Sequence, residues 1–262
     1  MKVRGRRECV ECGTRWSYYE TASVYCPACG SIRSRGIDDE RTLHTASPEE
    51  LDLTEIRVAL EERSLSEATE EAKERCREYV RTQGFVRGGE LLDLSETYVA
   101  ARELAHVADL VGRTMDLRED EEWYLLELLR DADRGKRPDP ADVPTSFLAA
   151  RGLAVAESVE DYRSEVRDWL DEQGESELDE QGESGLDEQG ESGLDETVTE
   201  DLVTVGEHAT RLEALQGEVP SATAERLLTA TRELATAIRE DDQDALRTAR
   251  DRLDRLAELP ED

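Results

Sequence analysis

Residues 9–30 read CVECGTRWSYYETASVYCPACG. Two Cys-x2-Cys pairs, Cys9/Cys12 and Cys26/Cys29, are separated by thirteen residues. Two residues between paired thiolates let a tight turn direct both at one ion, and four sulfurs at about 2.3 Å satisfy zinc tetrahedrally. Such a shell is closed. It leaves no position at which water could be bound and activated, so the expected metal is structural. Gly13 and Gly30 follow the two pairs, where a left-handed backbone is needed, and Pro27 stiffens the second turn. A segment of about 35 residues buries too little surface to fold unaided. A structural zinc contributes about 10–16 kcal/mol of apparent binding free energy, which is also folding free energy. Residues 1–37 are therefore expected to form a small β zinc ribbon holding one Zn2+ through Cys9, Cys12, Cys26 and Cys29. Tetrahedral sulfur also suits iron, which stays open as the alternative metal.

Working outward, this segment differs in charge from everything after it. It has seven basic residues (Lys2, Arg4, Arg6, Arg7, Arg15, Arg33, Arg35) against Glu8, Glu11 and Glu20, for a net +4 with neutral thiols. The whole chain of 262 residues carries −32, which leaves −36 for the remainder. Four aromatic residues, Trp16, Tyr18, Tyr19 and Tyr25, lie here, and TRWSYYE followed by TASVYC reads as two short strands around a turn.

Beyond the ribbon the periodicity is helical, so the fold class is mainly α. Ser47-Pro48-Glu49-Glu50 has the form of a helix start. Leu65, Ala68, Ala72, Cys76 and Tyr79/Val80 make one apolar stripe, and Leu94, Tyr98, Ala101, Leu104/Ala105, Ala108 and Val111 make another. Trp123, Leu126 and Leu129 suggest a third. Pro138, Pro140 and Pro144 interrupt the helices, and Phe147–Leu170 resumes them as one or two. An acidic helical domain is expected over 47–169. Residues 170–196 repeat LDEQGESE, LDEQGESG and LDEQGESG with twelve acids and no base, the composition of a disordered acidic linker. Near-identical tandem copies point to replication slippage. Residues 197–258 carry three further apolar stripes and are expected to form a C-terminal helical bundle.

The charge balance has its own message. Of 33 basic residues only Lys2, Lys73 and Lys136 are lysines. Strong acidity with arginine in place of lysine, on a chain with clear helical periodicity, fits a folded protein of a salt-saturated cytoplasm, where ions screen self-repulsion. No apolar run approaches the roughly 20 residues of a membrane span. The start, MKVRGRREC, has no apolar stretch behind its charge and is not a secretion signal. A cytoplasmic protein without membrane contact is expected.

Cys9-Val10-Glu11-Cys12-Gly13, the aromatic run Trp16–Tyr19 and Cys26-Pro27-Ala28-Cys29-Gly30 resemble the zinc ribbons of the transcription factor IIB type. With the acidic helical remainder, the chain resembles an uncharacterised haloarchaeal family bearing such a ribbon at its N-terminus. The resemblance covers about 14% of the chain. It implies zinc binding and a link to transcription, but not a general initiation role, since nothing after residue 37 looks like cyclin-type helical repeats. The same cysteines are similar to the rubredoxin-like ribbon of rubrerythrins, which holds redox-active iron. That family's di-iron bundle needs two Glu-x-x-His motifs, and this chain has one, Glu103–His106.

No catalytic constellation is legible. Gly135-Lys136 lacks the upstream glycine of a phosphate loop, Cys76 sits on an apolar stripe, and His44, His106 and His208 have no motif around them. The expected function is a non-enzymatic adaptor or regulatory protein with a protein partner, plausibly of the transcription machinery. Electron transfer through iron is the alternative. Nucleic-acid contact would require bases stacking on Trp16, Tyr18 or Tyr19.

Overall fold

The structure, a computed structural model, describes residues 1–60, 62–113, 116–180 and 193–257. It is mostly helical with a few short antiparallel strands, most of them near the N-terminus. Two compact units emerge.

The first unit comprises Met1–Glu49, Thr82–Leu92 and Asp168–Gly182. Its strands are β1 (Lys2–Val3), β2 (Arg6–Cys9), β3 (Arg15–Ser17), β4 (Ser34–Gly36) and β5 (Thr42–Leu43), with one helical turn, α1 (Tyr18–Thr21), after β3. β2 is the central strand of a three-stranded sheet. Glu8 lies opposite Arg15 on one side and Arg35 on the other, and its carboxylate pairs with both at 2.8 Å. This cross-strand row of alternating charge pins the register. β1 pairs with β5. The ring of Tyr19 fills the space over Gly5 and Gly88, where a Cβ would collide with it.

The second unit comprises Glu50–Arg81, Asp93–Arg167 and the described part of Glu183–Asp262. Its helices are α2 (Thr54–Ala59), α3 (Leu65–Thr82), α4 (Glu96–Val111), α5 (Glu119–Asp131), α6 (Leu148–Glu180), α7 (Gly193–Ala214), α8 (Ser221–Glu240) and α9 (Gln243–Ala257). Residues 168–180 of α6 belong to the first unit, as do the two-residue strands β6 (Val86–Arg87) and β7 (Glu90–Leu91), which pair antiparallel. Ala68, Ala72 and Cys76 of α3 pack with Ala101 and Leu104 of α4 and Leu125, Leu128 and Leu129 of α5. The stripes of α3 and α4 are those expected from periodicity. At Gly152 and Gly217 backbones touch so closely that neither residue has room for a Cβ, and Gly206 lies under Arg163. α6 and α7 therefore run antiparallel. Among the described residues no helix is long and apolar enough to cross a membrane.

An ionic network lies inside this unit. Glu103 of α4 has no exposed surface, and Arg151 of α6 has almost none. Arg151 donates to Glu103 at 3.4 Å, to the Tyr124 hydroxyl at 3.0 Å and to the Pro138 carbonyl at 3.0 Å. Arg137 reaches Glu103 at 3.2 Å and holds Glu225 of α8 in a two-pronged pair at 2.9 Å. Tyr124 donates to Glu103. Burial acts against the charge of Arg137, but Glu103 and Glu225 outweigh it and raise its pKa.

Several details differ from the sequence reading. The first helix after the ribbon begins at Thr54 rather than Ser47, because Leu51 and Leu53 are buried in a non-helical segment and Asp133 accepts from the Leu53 amide at 3.0 Å. On α5 it is Tyr124, Leu125, Leu128 and Leu129 that face inward, while Trp123 is 67% exposed. TASVYC is not a strand. Ala22 takes a left-handed conformation that ends α1, and β2 finds its partners in β3 and β4. The 170–196 linker keeps its place between the helical regions, with α6 running into it through Glu180 and α7 starting within it at Gly193. Its centre, 181–192, lies outside the described residues. The regions expected as separate domains, 47–169 and 197–258, contribute to one unit, joined by Arg137, Arg151 and Glu225.

Removing one partner from a buried ion pair costs about 3–5 kcal/mol, whereas an exposed pair is worth at most about 1 kcal/mol. Glu103→Gln should therefore lower the urea midpoint far more than Arg247→Ala, whose partner Asp244 is exposed. Equal midpoints for the two variants would show that the network is dispensable.

Candidate metal centre

The two cysteine pairs sit in matching turns. Cys9 ends β2, accepts from Gly13 N at 3.1 Å and donates its own amide to Thr14 at 2.9 Å. Cys26 accepts from Gly30 N at 2.9 Å and donates to Ser31 at 2.9 Å. Gly13 and Gly30 have φ of 73° and 71°, the left-handed backbone that glycine adopts without strain. In each turn the first cysteine is buried and the second exposed.

The turns converge. All four sulfurs lie within 4.8 Å of one another, with Cys12 Sγ to Cys26 Sγ at 3.5 Å and Cys9 Sγ to Cys29 Sγ at 3.6 Å. A tetrahedron of sulfurs 2.3 Å from zinc has edges of about 3.8 Å, so the donor set fits one tetrahedral ion. No other cluster of this kind occurs among the described residues. The fifth cysteine, Cys76, is a core residue whose thiol burial pushes up to about 12.

The local electrostatics favour thiolates at Cys12 and Cys26 and oppose one at Cys29. The Thr14 hydroxyl, and then its amide, bring Cys12 down to about 6. Burial acts to raise Cys26, but the amides of Cys29 and Ala28 outweigh it and hold the thiol below its ordinary value. Cys29 is drawn down by the Ser31 amide, yet the neighbouring sulfurs of Cys12 and Cys26 push it up to about 12. Sulfurs this close repel one another once ionised, and a dication removes that repulsion. The bound metal would supply a cross-link between β2 and the second turn, with no open position.

The remaining sequence-derived residues fall elsewhere. His106 meets Glu157 at 3.0 Å, while Glu103 faces Arg137 and Arg151, so the Glu-x-x-His pair serves two different clusters. His208 is buried rather than a surface residue, and burial lowers its pKa. The indole N–H of Trp16 donates to Ser23 O at 3.0 Å. Tyr18 and Tyr19 lie against His44, with ring centroids 5.9 and 4.8 Å away. His44 had no signal in sequence, yet it is buried and its Nδ1 accepts from the Gly88 amide at 3.3 Å. Its two aromatic neighbours and a polar connector were visible in sequence, but their meeting was not.

Cys26→Ser leaves three thiolates. The variant should lose its equivalent of zinc and the amide protection of residues 1–37 while keeping most helical circular dichroism. Retained metal with intact protection would contradict a four-ligand site. A second expectation concerns pH. Burial, then the charges of Arg87 and the N-terminal amine, lower the pKa of His44. The unfolded chain therefore takes up a proton first, near pH 6.5, and stability rises with pH across that interval. The contribution is complete above about pH 6.5 and is lost as pH falls through the lowered value. Rate-corrected hydrogen exchange at Gly88, followed downward from pH 7.5 in protein of constant metal content, should show protection falling in wild type and less so in His44→Gln. Identical profiles would exclude His44 as the titrating group.

No curated protein and no solved structure matches the chain. Residues 1–253 match the sequence profile of a family described as a family of unknown function (DUF7117). A match over nearly the whole chain means that ribbon and helices are inherited together, and the chain belongs to DUF7117.

Proposed function

We propose that this chain is a zinc-dependent, non-enzymatic adaptor whose ribbon docks on a larger assembly. The observation that carries the reading is the closed set of four sulfurs, Cys9, Cys12, Cys26 and Cys29, within 4.8 Å of one another. A shell complete in protein ligands holds structure and leaves no coordination site for substrate. The metal is zinc, and the activity is presentation of the folded ribbon to a protein partner. The acidic, lysine-poor composition supports an origin in a halophilic archaeon and a cytoplasmic setting. Similarity of the cysteine turns to transcription factor IIB-type ribbons supports a partner in the transcription machinery. Electron transfer is the second reading, because four thiolates also suit iron.

Metal analysis and a nuclease-treated pull-down at native salt test the proposal together. A colourless protein with one zinc per chain, recovering a defined complex that Cys26→Ser fails to recover, is the expected result. A red protein whose visible absorption bleaches on reduction would replace the adaptor with an electron carrier. Recovery of the same complex by both forms would move docking to the helices.

A further inference from the structure

The metal centre is surrounded by apolar side chains that the ribbon leaves uncovered. Val10 lies inside the first cysteine turn and is 57% exposed; Tyr25 and Ile32 flank the second and are 57% and 61% exposed. Single exposed apolar residues are ordinary on protein surfaces. These three are not scattered. The Val10 amide donates to Arg33 O at 2.9 Å, which sets Val10 beside the residue after Ile32, and Tyr25 directly precedes Cys26. The two turns that carry them share one cluster of sulfurs.

The rim of this patch is cationic. Arg15, Arg33 and Arg35 have side chains 70%, 68% and 68% exposed, whereas Glu8, which balances two of them, is only 16% exposed. Glu11, the partner of Arg33, is 49% exposed, so the outward-facing charge is positive by the excess of three exposed arginines over that one carboxylate. A partner must supply negative charge at the rim and an apolar group at the centre. Nucleic acid supplies the first but binds exposed strands by stacking bases on aromatic faces. Here Trp16, Tyr18 and Tyr19 are engaged within the ribbon, and of the three patch residues Tyr25 alone has a π face, one ring where stacking of successive bases needs several. Among anionic partners a protein segment fits both demands. Interfaces of this kind have an apolar centre and a polar rim.

We infer that Val10, Tyr25 and Ile32, rimmed by Arg15, Arg33 and Arg35, form the docking surface for an acidic protein segment bearing an aliphatic or aromatic anchor. This rests on the adaptor reading and specifies the partner's chemistry. Complementary charge acts at contact range and sets orientation, while the apolar anchor holds the complex at high salt.

The test is selection of a random twelve-residue peptide display library on the full-length, metal-loaded protein. Enriched peptides should place Asp or Glu around Leu, Ile or Phe. They should bind Val10→Ser/Ile32→Ser at least tenfold more weakly, with metal content and residue 1–37 amide protection of that variant unchanged. Arg33→Ser should weaken binding chiefly at low salt. Enrichment of basic or neutral peptides, or equal binding by the double variant, overturns the inference while leaving a zinc-loaded adaptor in place. Binding of a labelled single-stranded 20-nucleotide DNA that the double variant loses assigns the patch to nucleic acid and also overturns it. Protein isolated without zinc would instead defeat the adaptor reading itself.

Discussion

Glu103 carries a carboxylate into an interior that offers it no water, and much of the helical unit is arranged around meeting that demand. An ion removed from water loses several kcal/mol of solvation, which only well-placed opposite charge and hydrogen bonds recover. Arg151, Arg137 and the Tyr124 hydroxyl provide them. Each of these brings a different part of the chain: α6, the proline-containing segment and α5. The two arginines then need Glu225, which fixes α8 to the same point. Glu96, shared between Arg137 and Arg232, extends the chain of pairs outward. Apolar packing alone would tolerate sliding of one helix over another. Directional ion pairs allow one arrangement, and the touching backbones at Gly152 and Gly217 remove the remaining freedom.

The ribbon solves a different problem with different means. It has few apolar residues to bury, and its sheet is three short strands. The sulfur cluster substitutes for a core. Around it the side chains divide by role. Trp16, Tyr18, Tyr19 and His44 are consumed in holding the ribbon together, while Val10, Tyr25 and Ile32 are left on the surface. The distinction matters because all the aromatic residues look alike in sequence.

The cysteine turns were legible because metal geometry tolerates few spacings, and Gly13 and Gly30 marked the left-handed positions. Helices α3, α4, α8 and α9 were legible because a stripe at 3.6-residue spacing survives even a highly charged background. Three things were not. The strands RREC and SRG carry no apolar alternation, since their sheet is held by ion pairs and flanked by the sulfur cluster. The start of the first helix was displaced because buried Leu51 and Leu53 lie in a non-helical segment after an apparent cap at Ser47. The network was hidden by abundance: among 65 acids and 33 bases, nothing local distinguishes Glu103 or Glu225 from the rest. Pairs such as Arg137–Glu225 join residues far apart in the chain, and it is these that make one unit of regions separated by the octapeptide repeat.

The first unit is assembled from three distant stretches of chain, and the Trp169 indole donates to Gly89 O at 2.8 Å within it. Translation delivers those stretches in order. At about 5–20 residues per second, Trp169 follows the cysteine turns by roughly 7–28 s. During that interval the metal turns have every ligand they require, since all four lie before residue 30, but the surrounding unit lacks its later strands and helix. Metal capture on the nascent chain would thus shield four thiols from oxidation and give the emerging polypeptide one ordered anchor. Biogenesis of a metal-loaded chain would then depend on the metal supply at the ribosome rather than on the finished chain.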